Sequence, residues 1–196
     1  MSLVTEFERI KRDHQKALRQ RGARVVLGAS VTRVFEKGTK AHLLPFLTEI
    51  FIDEIAALKS QEEFRVWFEH WLDILALEIK KLNHNNNRIH PGYKWGHATK
   101  ILTLYIREII LNSRYFTDAQ VQAVAPWLYI PIDNIARQHL VELGYPLPFK
   151  SIKEIDTPEK FYGVQDLLGQ VAARVGVPRI WFDDIWGDRN NRGSDG

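Results

Sequence analysis

The feature that most constrains this fold is a stripe of large apolar residues between positions 64 and 82. Its members recur at three- and four-residue spacing, which is the period of one face of an α-helix. They are Phe64, Trp67, Phe68, Trp71, Leu75, Ile79 and Leu82. Ser60 and Glu63 precede the stripe in the arrangement of a capping box. A helix with so wide an aromatic face has to bury it, so we predict that this helix lies in the protein core.

The rest of the chain also shows mainly helical periodicity. We predict further helices over residues 4–20, 40–58, 96–111, 117–127, 132–143 and 157–175. Gly22 is expected to interrupt the first helix, and Val25 to Leu27 is the only plausible strand. Helices joined by short capped turns predict an all-α fold, a single orthogonal helical domain over residues 1–187. A flexible tail is expected over residues 188–196.

Composition excludes several classes of site. The chain has no Cys, which rules out disulfides and cysteine-based metal sites or nucleophiles. No apolar run is long enough to cross a membrane, and we expect a cytoplasmic protein without membrane contact. Phosphate-binding and dinucleotide-binding motifs are missing, so no cofactor is expected. His84, His90 and His97 lack a carboxylate at metal-binding spacing, so no metal is expected.

Positive charge is concentrated in residues 9–40, which we call the basic segment. It contains ten Lys or Arg residues and two acids, a net charge of +8. Because the whole chain carries +3, the remainder is net negative at −5. Such asymmetry is typical of a protein that binds a phosphate-rich partner, although a solvated face has the same pattern. The nucleic-acid contacts that we predict from the basic segment are Arg12, Lys16 and Arg19.

A glycine-containing turn and two helix starts stand out between residues 89 and 144. Pro91 and Gly92 predict a turn, and Gly96 opens the following helix. Glycines beside a helix N-terminus let backbone N–H groups approach a phosphate closely, and the helix dipole adds attraction. We therefore predict nucleic-acid contacts from Gly92, Lys94, Gly96 and His97.

The same stretch resembles the helix-hairpin-helix DNA glycosylases of the endonuclease III type, and more closely their smaller archaeal branch that handles oxidised guanine. In that family a proline-glycine-x-glycine turn leads into the hairpin, and a catalytic aspartate follows a proline at a later helix start. Pro91, Gly92 and Gly96 match the turn, and Asp133 matches the aspartate. The resemblance covers under a third of the chain. It implies a helix-hairpin-helix core at 89–144, a nucleic-acid substrate, DNA in this family, and a cleft for a flipped nucleotide.

The catalytic lysine of the family aligns with Ala98, and Lys100 lies two residues later. On this resemblance, Asp133 stabilises the positive charge that develops on the sugar as the base departs. Lys100 is the candidate amine that attacks the sugar and forms a Schiff base. Tyr93, Trp95 and Trp127 are candidates for stacking on the extruded base.

Simpler interpretations exist for each of these residues. Gly92 and Gly96 can be turn glycines without any phosphate contact. Asp133 falls where a helix N-cap falls, and a cap needs no catalytic role, although one residue can serve both purposes. Lys100 lies opposite the apolar face of its helix, as solvent-exposed lysines do. Asp183 and Asp184 predict a surface acidic turn with the neighbouring tryptophans packed inward, or alternatively a pair that contacts a metal or a base.

The sequence supports two functions of different classes, an enzyme and a non-enzymatic binding module. The first is a nucleic-acid-acting protein that flips and excises a modified base, with Asp133 and Lys100 as catalytic residues. The second is a non-enzymatic helical module that binds nucleic acid or a protein through the basic segment. In a structure, the enzyme interpretation requires Asp133 at the mouth of a concave, basic-rimmed cleft with Lys100 or Lys94 within reach. A capping Asp133 on a convex surface would contradict it.

Overall fold

The computed structural model describes residues 3–82, 94–145, 147, 149–150 and 154–187; for residues 3, 4, 29, 30, 94 and 187 only the backbone is described. The α-helices are α1 (Leu3–Val26), α2 (Ala29–Thr32), α3 (Thr39–Glu49), α4 (Gln61–Lys80), α5 (Lys94–Arg107), α6 (Asp118–Val124), α7 (Asn134–Glu142), α8 (Pro158–Val175) and α9 (Trp181–Gly187). Shorter 3₁₀ segments span Ile52–Ala57 and Ala125–Trp127, and a π-helical turn spans Glu108–Asn112. The described residues contain no β-strand. The predicted all-α class is confirmed.

None of the helices in these ranges combines the length and the apolar character that a bilayer crossing requires. The predicted hairpin turn at Pro91 and Gly92 and the predicted tail at 188–196 lie outside the described residues.

Local capping chemistry fixes where the helices begin. Ser60 Oγ accepts a hydrogen bond from the Glu63 N–H at 3.1 Å, while the Glu63 carboxylate accepts from the Lys59 N–H at 2.8 Å. Thr117 and Gln120 form a complete capping box at the start of α6. Thr157 caps α8, as predicted. Each cap satisfies N–H groups that the first helical turn leaves without partners.

The prediction of a break at Gly22 and of a strand at Val25 to Leu27 is wrong, because α1 continues without interruption to Val26. Gly22 instead provides a close helix contact. A Cβ atom at this position would lie 2.6 Å from Cδ1 of Ile109, which is buried in the π-helical turn after α5. The glycine therefore allows α1 to approach the π-helical turn closely.

The predicted helix over residues 40–58 is divided in the structure. α3 ends at Glu49, Ile50 adopts an extended backbone, and a 3₁₀ helix follows. The turn brings Ile50, Ile52 and Ile55 all into the core, where each is fully buried. A single straight helix would have pointed at least one of these side chains toward solvent.

The stripe on α4 forms the centre of the core, as predicted. Phe64 and Phe68 are fully buried, and Phe68 stacks on Phe161 of α8 with ring centroids 5.8 Å apart. Tyr129, from the extended segment before α7, packs edge-on against Phe68 at 4.9 Å. Trp71, at the edge of the stripe, is only partly buried.

The extended segment 128–133 is held by two buried polar side chains. Gln165 of α8 accepts from the Ile130 N–H at 3.1 Å and donates to the Ile130 carbonyl at 2.8 Å. Arg179 donates to the carbonyls of Trp127, Leu128 and Gln165. A buried backbone without such partners would cost free energy. These contacts fix the direction in which the chain enters α7.

Candidate active site

Asp133 caps the N-terminus of α7. Its Oδ1 accepts hydrogen bonds from the N–H groups of Ile135 at 2.9 Å and Ala136 at 3.1 Å. The interpretation of Asp133 as a helix cap is confirmed. Because both bonds use Oδ1, the other carboxylate oxygen, Oδ2, is left to face α5.

Lys100 of α5 approaches that second oxygen. Its Nζ lies 4.0 Å from Asp133 Oδ2, and each side chain is 30% exposed. The expectation that Lys100 is simply solvent-exposed is therefore wrong, because the side chain is half-buried and ion-paired. The fold brings together two residues that are 33 positions apart in sequence. Asp133 matches the aspartate of the glycosylase resemblance, whereas Lys100 lies two residues after Ala98, the position that aligns with the family's lysine.

Arg107 and Asp183 extend this pair into a cluster of charges. Arg107 lies two helical turns after Lys100 on the same side of α5, and its Nη1 is 3.0 Å from Asp183 Oδ2. Arg107 also pairs with Asp184. Asp183 is electrostatically coupled to Asp133 and Lys100 as well. We call Lys100, Arg107, Asp133 and Asp183 the charge cluster.

The prediction of a surface acidic turn at Asp183 and Asp184 is only half right. Asp184 is 55% exposed, but the Asp183 side chain is 21% exposed and faces the charge cluster. Trp186 packs inward, stacking on Phe182 with centroids 4.7 Å apart. Trp181, expected to pack inward, is half exposed. In a helix as short as α9, successive side chains point in different directions, so Trp181 and Trp186 cannot both face the core with Asp183.

Burial raises the pKa of Asp183 to about 6, and the negative charges of Asp133 and Asp184 act in the same direction. Arg107 and Lys100 lower this pKa, but burial outweighs them. The charge cluster thus contains a carboxyl group whose pKa, at about 6, lies close to physiological pH.

Asp183 should make the stability of the protein depend on pH. The folded protein holds this proton more tightly than the unfolded chain does. The resulting stabilisation is therefore complete below about pH 4 and is lost as the pH rises through about 6. Between about pH 4 and pH 6, the free energy of unfolding of the wild type should fall by about 2 kcal/mol relative to that of Asp183→Asn. Urea denaturation at several pH values measures the difference. Asp184→Asn, at the neighbouring exposed carboxylate, is the control; equal profiles for wild type and Asp183→Asn would contradict the assignment.

The residues of the predicted phosphate-binding turn are described in part. Gly92 lies outside the described residues, as does the side chain of Lys94, whose backbone begins α5. Gly96 lies in the first turn of α5, where its carbonyl accepts from Thr99 Oγ1. His97 packs edge-on against buried Phe35, with centroids 5.4 Å apart. Its ring therefore contributes to packing, so a phosphate contact from His97 requires the ring to serve both purposes.

Arg12, Lys16 and Arg19 line one cleft of about 700 Å³ between α1 and α3. Arg12 and Lys16 are exposed, whereas Arg19 is 19% exposed and pairs with Asp53 at 3.5 Å. The basic segment thus contributes a grouped cationic surface. The cleft shares no residue with the charge cluster, which is built by α5, α7 and α9.

Two of the aromatic residues predicted to stack on a base are already packed. Trp95 lies edge-on against Phe161 at 5.9 Å, and Trp127 is partly buried against the core. Tyr93 lies outside the described residues. Nowhere in the described ranges do three or more His, Cys, Asp or Glu side chains group as potential metal ligands.

Comparisons of the chain with family models, curated proteins and solved structures found no match.

From the sequence, the helical period placed Arg107 with Lys100 on the side of α5 opposite Ala98 and Tyr105, but Arg107 was given no functional role and Asp183 was undervalued. Nothing local in the sequence indicates that the segment containing Asp183 folds back onto that side.

Proposed function

We propose that this protein acts on nucleic acid and excises a base by cleaving an N-glycosidic bond, with Lys100 and Asp133 as its catalytic residues. The observation that supports this proposal is the 4.0 Å separation of Lys100 Nζ and Asp133 Oδ2 in a half-buried setting. A helix cap alone does not require a lysine from another helix beside it.

The pair has the chemical groups that base excision needs. The deprotonated Lys100 amine attacks C1′ of the sugar, and the electron pair of the glycosidic bond leaves with the base. Positive charge accumulates on the sugar in the transition state, and the nearby Asp133 carboxylate stabilises it. The nitrogen then gives one proton to the departed base, and its lone pair forms the C=N bond as the C1′–O4′ bond breaks. O4′ takes up the proton that the Lys100 ammonium released before the attack, and the product is a protonated Schiff base.

The capping bonds of Asp133 support the same role. Two backbone N–H groups hold Oδ1, so the carboxylate is oriented before any substrate arrives. A fixed charge stabilises a transition state more effectively than one that must first reorient. The contacts of Gln165 and Arg179 with segment 127–130 orient the backbone that leads to Asp133.

Borohydride trapping tests the lysine. Wild-type protein is incubated with oligonucleotides that carry oxidised, deaminated, alkylated or abasic nucleotides, with and without borohydride. We expect a covalent protein–DNA adduct with at least one substrate, because borohydride reduces the Schiff base to a stable amine. Lys100→Gln should give no adduct, and peptide mapping of the wild-type adduct should locate it on Lys100.

Lys160→Gln provides the matched control. Lys160, in the first turn of α8, is also a partly exposed lysine, and it forms an ion pair with Asp156. Its replacement should leave trapping unchanged. An adduct mapped to another lysine would remove Lys100 from the mechanism. Base release without trapping would instead indicate water as the nucleophile. The absence of product on every substrate would favour the alternative function, a non-enzymatic module that binds through the basic segment.

A further inference from the structure

The cleft between α1 and α3 has cations on one side and aromatic rings on the other. Arg12, Lys16 and Arg19 line the α1 side. Phe51, which follows α3, and Trp71 of α4 contribute the opposite side. At about 700 Å³ the cleft has the volume of a typical small-ligand site.

Phe51 presents its ring to solvent. It is 60% exposed, although large apolar side chains are usually buried. Its ring centroid lies 5.8 Å from that of Trp71, which in turn contacts Phe46 edge-on at 6.4 Å. The Phe51 ring thus contacts a second aromatic side chain at a tilted angle, while more than half of the residue stays exposed. This is the arrangement of a stacking platform.

Two hydrogen-bond donors in the lining of the cleft have no protein acceptor. Arg19 Nε and Trp71 Nε1 are both buried atoms without a hydrogen-bond partner among the described residues. Buried donors without acceptors are rare in folded proteins. Both atoms are closed to solvent, so an acceptor oxygen of a ligand in the cleft would reach them only after the Arg19 or Trp71 side chain moves.

The charges of the lining favour an anionic ligand. Arg12 and Lys16 form no ion pair within the described residues, so both charges are available. Glu49 also lines the cleft and is exposed. Arg19 is oriented by Asp53, whose Oδ2 also accepts from the Tyr115 hydroxyl at 2.9 Å. Because Arg19 is paired with Asp53, Arg12 and Lys16 against the one carboxylate of Glu49 leave a net positive lining.

We infer that this cleft binds single-stranded nucleic acid, with phosphates beside Arg12 and Lys16 and a base stacked on Phe51. Cations that follow the backbone and an accessible aromatic ring are the two features that bind single strands without sequence preference. In a duplex the bases are stacked on one another, so their faces cannot reach Phe51. The inference goes beyond the proposed function, because the cleft shares no residue with Lys100 and Asp133.

The experiment measures binding separately from excision. All proteins carry Lys100→Gln, so that no chemistry occurs, and fluorescence anisotropy follows a labelled twelve-residue oligothymidylate. We expect tighter binding of the single strand than of the matching duplex. Phe51→Ala should weaken single-strand binding by roughly tenfold, within the range measured for loss of one base–aromatic stack. Arg12→Ala combined with Lys16→Ala should also reduce the dependence of affinity on salt concentration.

Leu77→Ala is the matched control, because Leu77 is an exposed apolar residue of α4 that does not line the cleft. It should bind like the parent protein. Equal affinity for duplex and single strand, or an unchanged affinity of Phe51→Ala, would overturn the inference. Competition by thymidine monophosphate at the same concentration as the oligonucleotide would also overturn it, because the cleft would then be a free-nucleotide site. Failure of binding leaves the borohydride result intact, and failure of trapping leaves the binding result intact, so the two proposals are tested independently.

Discussion

Replacing Asp133 with Asn is expected to reduce the rate of base excision by at least about 100-fold while the protein remains folded. A 100-fold loss corresponds to about 2.7 kcal/mol of transition-state stabilisation, which is typical of removing one well-placed electrostatic group. The amide retains an oxygen that can accept from the N–H groups of Ile135 and Ala136. Asn is as good an N-cap as Asp, so the loss of charge is separated from the loss of the cap.

The measurement is a single-turnover rate on a substrate that the wild type cleaves, together with a urea unfolding curve for each protein. Thr157→Ala removes the cap of α8 and controls for capping. It should cost about 1 kcal/mol of stability and leave the excision rate near that of the wild type. Equal rates for wild type and Asp133→Asn would make Asp133 a structural cap only. The non-enzymatic alternative would be favoured only if the wild type cleaved no substrate in the panel.

Helix positions were largely predictable because their signals are local. Ser60, Thr117 and Thr157 satisfy N–H groups within three residues of themselves, so their sequence context suffices to place a helix start. The errors at Gly22 and after Glu49 have a different origin. In both cases a distant contact decided the outcome: Ile109 against Gly22, and burial of three isoleucines at the end of α3. Tertiary packing overrode local propensity at these positions.

The candidate site was predictable only in part, because the resemblance supplied Asp133 and a lysine position that falls on Ala98, two residues before Lys100. Asp133 and Lys100 were chosen from the sequence, and the structure places them 4.0 Å apart. Arg107 and Asp183 join them because α9 packs against α7 and brings the Asp183 carboxylate to α5. No periodicity within residues 181–187 encodes that contact. The aromatic side of the cleft could not be predicted either, because Phe51 and Trp71 come into contact only when α3 and α4 are both in place.

Arg179 carries the largest stability effect that we predict. The side chain is 4% exposed, and burial lowers the pKa of its guanidinium. Its three hydrogen bonds, at 2.7, 2.8 and 3.2 Å, end on the carbonyls of Trp127, Leu128 and Gln165. The guanidinium also lies 4.5 Å above the ring of Tyr129. One buried cation therefore supplies donors to several backbone carbonyl groups.

Arg179→Met should lower the free energy of unfolding by about 3 kcal/mol or more, because the buried carbonyls lose their donors and each costs about 1 kcal/mol or more. Methionine keeps much of the volume of the side chain, so a cavity contributes little. Chemical denaturation measures the loss. Arg174→Met is the matched control, since Arg174 is an exposed arginine of α8 that donates to the Tyr145 hydroxyl, and it should change stability by about 0.5 kcal/mol or less. If Arg179→Met loses as little stability as Arg174→Met, segment 127–130 is held by Gln165 and apolar packing, and Arg179 is not needed.

If Arg179 is needed, the folded Arg179→Met protein should also cleave its substrate more slowly, because the segment that orients Asp133 has lost the side chain that holds it.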